Sequence, residues 1–225
     1  MTNKIDRSFL GKPSRPFTNS ALDELMSGYF MRFDLSDELP LIQRLEDARR
    51  SIVAGRDECN SAAYDPALDE SFAEDRVGQV ALDQLLSEGE DRPVAGGDEN
   101  TYRFGHLQFS ELTAELAEVL NRVLKPRARM QLFQSGRHLY PQNGYMGWHT
   151  NSNVPGFRLY LSHVEAGNSS GFRYRDPDSG NVVSDWDEAG WNFRCFRTDL
   201  SPFWHSVWSH TDRISLGYGI KFPFD

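Results

Sequence analysis

From residue 129 onward the chain is written in short runs of aromatic and β-branched residues, each cut off by turn chemistry. The runs are "RMQLFQ", "GYMGWHT", "FRLYLSHV", "GFRYRD", "NVVSDW", "WNFRCFRT", "FWHSVW" and "RISLGYGIKF", eight candidate strands. Between them "PQNG", "NSNVPG", "AGNSSG", "DPDSG" and "SHTD" supply residues that tolerate tight or left-handed backbone. Eight short strands that close on one another leave few unpaired edges. A double-stranded β-helix, the jelly roll of cupin-like proteins, achieves this with strands of this number and length.

Residues 1–128 read differently. Apolar residues recur at helical spacing in three segments: Leu41, Leu45, Ala48 and Ile52; Val77, Ala81 and Leu85; and Leu112, Leu116, Val119 and Val123. The third is bounded by Ser110, placed to cap its first turn, and by Pro126, which cannot continue it. A shorter helix is expected from Ser20 towards Gly28, and "EDRPVAGGDEN", residues 90–100, reads as a loop. The expectation is one α+β domain over residues 1–225, with a helical region (1–128) packed on one side of a β-helix core (129–222). There is no internal repeat.

A chain of 225 residues is long enough to bury one sizeable core. Its formal charge of -9 argues against broad contact with a phosphate backbone, so nucleic acid is not an expected partner. The two cysteines, Cys59 and Cys195, are far apart and form no metal or disulfide pattern. No stretch approaches the ~18 apolar residues of a membrane span, and the first residues lack the apolar core of a signal peptide. A cytoplasmic protein with no membrane partner is expected. Oligomeric state is not legible.

The chemistry lies among six histidines: His106, His138, His149, His163, His205 and His210. A single histidine in a β-rich domain is ordinarily a surface or hydrogen-bonded residue. Here the arrangement matters. Side chains two apart on a strand share a face, so His149 and Asn151 can both face a roll's interior, and His205 lies on a strand adjacent to theirs in a closed roll. Two imidazoles and one oxygen donor on one side of an ion leave the opposite positions free, as a non-heme iron requires. Arg213 and Ser215 share a face of the last strand and can together hold a carboxylate, Arg213 through its planar fork. A strand rise of about 3.3 Å per residue puts that group roughly 10 Å from the ion, a gap that a small dicarboxylate spans.

In this order, "GWHTN", "FRLYLSHV…GFRYRDP", "WHSV" and "RISLGYG" resemble the iron(II)- and 2-oxoglutarate-dependent oxygenases, over residues 129–222. The arrangement "GWHTN…PGFRLYL" also resembles phage-type members of that superfamily. The resemblance implies that His149 and His205 ligate iron(II) and that Arg213, assisted by Ser215, pairs with the distal carboxylate of 2-oxoglutarate. It implies hydroxyls near the cosubstrate at Tyr160 and Tyr140. The implied activity is a dioxygenase, a hydroxylase of a small-molecule or peptide substrate.

The chain departs from the family's HxD motif at Asn151. An amide is neutral and a weaker donor than a carboxylate to a hard cation. Three explanations stay open. Asn151 ligates through its carbonyl, it leaves a coordination position open, or the metal site is lost and the roll is kept as a binding module. A zinc hydrolase on His149, His205 and His210 is a further alternative. Trp148 and Trp204 immediately precede the two candidate ligands and are expected to point to the opposite faces of their strands. Arg137, Arg158, Arg173 and Arg175 are read as solvated strand residues that can attract an anion.

Overall fold

Alternation along the strands decides the architecture. In the last strand Ile214, Leu216 and Tyr218 belong to the main apolar core, whereas Arg213, Ser215 and Gly217 face the other way. The same split runs through residues 157–164, where Leu159 and Leu161 face the core and Tyr160 and Ser162 oppose them. A strand with one apolar and one polar-aromatic face needs two different neighbours, and a two-sheet roll provides them.

The computed structural model describes residues 15–16, 28–59, 64–89, 91–124, 126 and 129–222. The helix expected from Ser20 falls on residues 20–27, outside the described residues. A seven-stranded sheet has the order β1-β2-β10-β7-β12-β5-β4, and a five-stranded sheet the order β3-β6-β11-β8-β9. The strands are β1 (Arg15–Pro16), β2 (Phe30–Asp34), β3 (Glu99–Asn100), β4 (Tyr102–Arg103), β5 (Gln131–Tyr140), β6 (Gly144–His149), β7 (Phe157–Val164), β8 (Ser170–Arg175), β9 (Val182–Trp186), β10 (Gly190–Arg197), β11 (His205–Ser209) and β12 (Arg213–Lys221). The eight runs read from residue 129 onward correspond to β5–β12. The strands before them correct the reading of residues 1–128 as helical. β2 lies between β1 and β10 in the larger sheet and pairs antiparallel with β10, and its residues Met31 and Phe33 enter the main core.

The helices correct the expected one-sided layer. Helices α1 (Leu39–Ala54) and α4 (Ser110–Leu124) cover the outer face of the seven-stranded sheet, where Leu41, Leu45, Leu116 and Leu120 share a core with Leu159, Phe193 and Leu216. Helices α2 (Glu70–Val77) and α3 (Gln79–Glu88) cover the outer face of the five-stranded sheet instead. There Ala73 and Val77 pack on Tyr145 and Trp208, and Leu82 and Leu85 on Trp148 and Trp204. The tryptophans that precede the candidate ligands do point to the outer face.

The segment around Val77 and Leu85 is two helices rather than one, because Gly78 is extended (φ -77°, ψ 170°). Its carbonyl accepts a 3.0 Å hydrogen bond from Trp148 Nε1. Each short helix thereby follows its own pair of aromatics on the twisted sheet.

The pairing of β6 with β11 is irregular: His205 opposes His149, but Val207 opposes Met146, so β6 carries an extra residue between. This bulge reverses the alternation at Gly147. Met146 faces inward and Trp148 outward, and His149 is turned inward. Gly147 fits because its amide donates to Asp98 O at 2.8 Å, and a Cβ there would meet the Asp98 carboxylate and stand 3.1 Å from Asp98 O. We expect Gly147→Ala to destabilise the protein by about 1–3 kcal/mol, the ordinary cost of overpacking, measured by urea unfolding.

Candidate metal centre and its cavity

His149 ends β6, His205 opens β11, and the two are direct cross-strand partners. Their ring centroids lie 4.1 Å apart with the planes inclined by 54°. His149 Nδ1 is 2.9 Å from Gly147 O, and His205 Nδ1 is 2.8 Å from Phe203 O. A carbonyl can only accept, so each Nδ1 carries the proton and each neutral ring presents a lone pair at Nε2. Burial pushes the His149 pKa down to about 4. Burial, and then the neighbouring His149, hold His205 well below the usual histidine value. Both rings are therefore neutral at pH 7, the form that binds a metal. His205 is also caged by aromatic rings, with Phe196 at 4.9 Å and Phe172 at 5.3 Å between centroids.

Asn151 reaches the same place by a route the strand alternation did not foresee. β6 stops at His149, and Asn151 has left-handed backbone (φ 56°), which asparagine tolerates better than most residues. Its Nδ2 donates to Tyr160 Oη at 3.1 Å and to His205 Nε2 at 3.0 Å. The amide thus occupies the lone pair that would face an ion, and its carbonyl oxygen belongs to the same planar group.

Arg213 and Ser215 lie on the inner face of β12 as expected, but Arg213 has a partner that sequence reasoning missed. It is fully buried, its Nε donates to Asp187 Oδ2 at 2.8 Å, and its central carbon lies 5.3 Å from the Tyr140 ring centroid. Asp187 also accepts from Arg194 NH1 (2.7 Å), Ser162 Oγ (2.8 Å) and Ser170 Oγ. Arg194 and Arg32 pair in turn with Asp185. Burial alone would raise the Asp187 pKa, but Arg194 and Arg213 outweigh it and hold the carboxyl well below the usual range. Among the described residues, NH1 and NH2 of Arg213 are buried without a hydrogen-bond partner. An orphaned guanidinium end is costly unless an acceptor from outside the chain meets it. For Arg194, a signal was available: in "WNFRCFRT" alternation places it opposite Phe193 and Cys195, on the inner face. For Asp187, inside "WDEAGW", no periodicity helps.

A cavity of about 410 Å³ opens beside these groups, lined among others by His138, Tyr140, His149, Asn151, Tyr160 and Ser215. Among the described residues, none that line it is an aspartate or glutamate. Arg158 also lines it and is buried, not solvated as expected, whereas Arg137 and Arg173 bond to backbone carbonyls of Phe104 and Val77. His138 has no partner at ligand spacing in the sequence. It lies on the cavity wall two positions before Tyr140, the spacing that could have placed it there, and burial drops its pKa to about 3.

The remaining histidines stay away. His210 lies 3.4 Å from Glu70 on the outside of the smaller sheet, in a group with Glu70 and Glu74, so it does not join His149 and His205 in a three-histidine zinc site. His163 packs on Trp191, with Glu46 of α1 nearby.

No protein-family model matches the chain, and no curated protein matches it. Among solved structures, the chain is similar to a prolyl-4-hydroxylase from Pseudomonas putida, with a TM-score of 0.53 and 14% identity over 92% of this chain and 100% of that one. It is also similar to an oxidoreductase of the 2OG-Fe(II) oxygenase family from Burkholderia pseudomallei, with a TM-score of 0.50 and 12% identity over 94% of each chain. At these identities the likeness concerns the fold: the chain has the two-sheet roll of the 2-oxoglutarate oxygenases. No helix among the described residues is long and apolar enough to cross a membrane.

Asp187 generates the prediction here. Asp187→Asn should cost about 3–5 kcal/mol in chemical unfolding, because it leaves buried guanidiniums uncompensated. A carboxylate with a depressed folded pKa contributes stability above its unfolded value near ~4 and loses it as pH falls below that. Wild type should therefore lose stability below about pH 4 more steeply than the variant.

Proposed function

We propose that this protein is an iron(II)- and 2-oxoglutarate-dependent dioxygenase, a hydroxylase of a small-molecule or peptide substrate. One observation carries the reading. Two neutral imidazoles, their protons tied to backbone carbonyls, stand ring to ring where His149, Tyr140 and Ser215 line a cavity, and the Arg213 guanidinium, its NH1 and NH2 unpartnered among the described residues, lies over the Tyr140 ring. The fold shared with the Pseudomonas prolyl-4-hydroxylase and the Burkholderia oxygenase supports it.

The residues fit the two groups. His149 and His205 would hold the ion through Nε2, and Asn151 would offer its carbonyl oxygen after releasing the His205 lone pair. The NH1 and NH2 groups of Arg213 would take the distal carboxylate of 2-oxoglutarate, with Ser215 beside them and Asp187 fixing the Nε edge. Tyr160, bonded to Asn151, would steady that amide, and Tyr140 would form the floor under the guanidinium. Iron(II) and 2-oxoglutarate, when bound, supply an oxidation of a substrate C–H bond by dioxygen, with the cosubstrate released as succinate and carbon dioxide. The chain's own contribution is positioning and the exclusion of water.

A second reading, a non-catalytic roll with a degenerate metal site, is favoured by one specific contact: the Asn151 amide donates to His205 Nε2, and it brings no negative charge. Anaerobic titration with iron(II) and 2-oxoglutarate separates the two. The oxygenase should develop a weak visible charge-transfer band and release succinate in air; neither appears for a binding module. His205→Ala should abolish the band. Arg213→Met should weaken 2-oxoglutarate binding about a hundredfold, the loss of a buried charged pair. Asn151→Asp should tighten iron(II) binding by on the order of tenfold, since a carboxylate neutralises part of the ion's charge.

A further inference from the structure

Arg158 does nothing in the proposed metal and cosubstrate sites, yet it is one of the most expensive side chains in the cavity. It projects from β7 on the same face as Tyr160, is only 5% exposed, and lines the cavity with His149 and Asn151. Among the described residues its side chain makes one hydrogen bond, from NH2 to Val154 O at 2.6 Å, and its Nε is buried without a partner. No ion pair joins it to a carboxylate among the described residues. The other arginine on the wall, Arg103, is bridged to Glu99 and largely exposed. A guanidinium withdrawn from water without a counter-ion is strongly unfavourable unless a ligand supplies one.

Arg213 already answers to the distal end of 2-oxoglutarate, and the neutral Asn151 leaves the ion's own charge less compensated than a carboxylate would. Positive charge therefore remains on the cavity wall of a chain whose formal charge is -9. The same cavity also carries apolar side chains, those of Val94, Ala95, Met146 and Val207.

We infer that Arg158 is the specificity-determining residue of the substrate site, and that the substrate is a small carboxylic acid with an apolar body, its carboxylate held by the Arg158 guanidinium. This rests on the oxygenase reading above, since that reading assigns 2-oxoglutarate to Arg213 and leaves Arg158 free. A bland role competes with it: through Val154, Arg158 pins the 151–156 loop. Thr198 pins the same loop by hydrogen bonds to Val154 O and Gly156 O, without carrying charge.

The test uses protein loaded with manganese(II), which is redox-silent, and 2-oxoglutarate. Binding is measured by calorimetry for two acid and amide pairs, hexanoate with hexanamide and phenylacetate with phenylacetamide. Each acid should bind at least about tenfold more tightly than its amide, the contribution of one charge-assisted hydrogen bond. Arg158→Met should abolish the preference and Arg158→Lys should retain part of it, while Thr198→Ala should leave it intact. All three variants should bind 2-oxoglutarate as wild type does. The inference is overturned if neither acid binds, if amides bind equally well, if Arg158→Met keeps the preference, if Thr198→Ala loses it, or if Arg158→Met impairs 2-oxoglutarate binding as Arg213→Met does. Failure of the oxygenase reading shows separately, as wild type that does not load with metal and 2-oxoglutarate; the acid preference is then read on the metal-free protein, where its absence, its survival in Arg158→Met or its loss in Thr198→Ala overturns the inference.

Discussion

A closed roll turns one face of every strand inward, and an ion placed there must find its counter-ion there too. This protein places Arg32, Arg194 and Arg213 inside against Asp185 and Asp187, with all five nearly inaccessible to water. Glu188, exposed, supplies a third carboxylate to Arg32, so the charges of the network balance, and the guanidinium end left without a partner among the described residues lies at Arg213. Asp187 organises the rest. It receives two arginines and two serines from β7, β8, β10 and β12, so it joins strands of both sheets and fixes the direction in which Arg213 presents its free end. The network is thus a structural clasp that also holds a guanidinium end in place without an acceptor of its own. Such clusters are not efficient sources of stability compared with apolar packing, which makes their retention easier to understand as positioning.

The bulge in β6 plays the corresponding role for the imidazoles. With regular pairing, the outward Tyr145 and inward Met146 would be followed by an inward Trp148 and an outward His149. One extra residue exchanges them. The indole then anchors the α2–α3 break through Gly78, and the imidazole meets His205 across the strand pair. A single local irregularity thereby couples the outer helical cover to the inner chemistry.

Much of this was legible in the sequence because period-2 patterning is local. The eight strands from β5 to β12, the outward Trp204 beside an inward His205 and the shared face of Arg213 and Ser215 follow from it, whereas the outward Trp148 needs the bulge as well. What escaped depends on contacts between distant segments. Asp187 has no patterned neighbours, and its significance exists only once β10 and β12 bring two arginines to it. Gly78 falls inside the helical spacing of Val77, Ala81 and Leu85, and the Trp148 indole that exploits its carbonyl lies seventy residues away. The short β2 was invisible because "FMRFD" gains its meaning from pairing with β10. His138 and Arg158 were readable in principle, each two positions from a tyrosine already singled out, but polar residues in strands are ordinarily taken to face solvent.

The left-handed backbone at position 151 has an evolutionary consequence. Few residues occupy that conformation without strain, chiefly asparagine, aspartate and glycine. Drift at this position is therefore channelled towards a neutral amide, an anionic carboxylate or no side chain at all, so one dihedral angle narrows the groups that can stand between Tyr160 and His205.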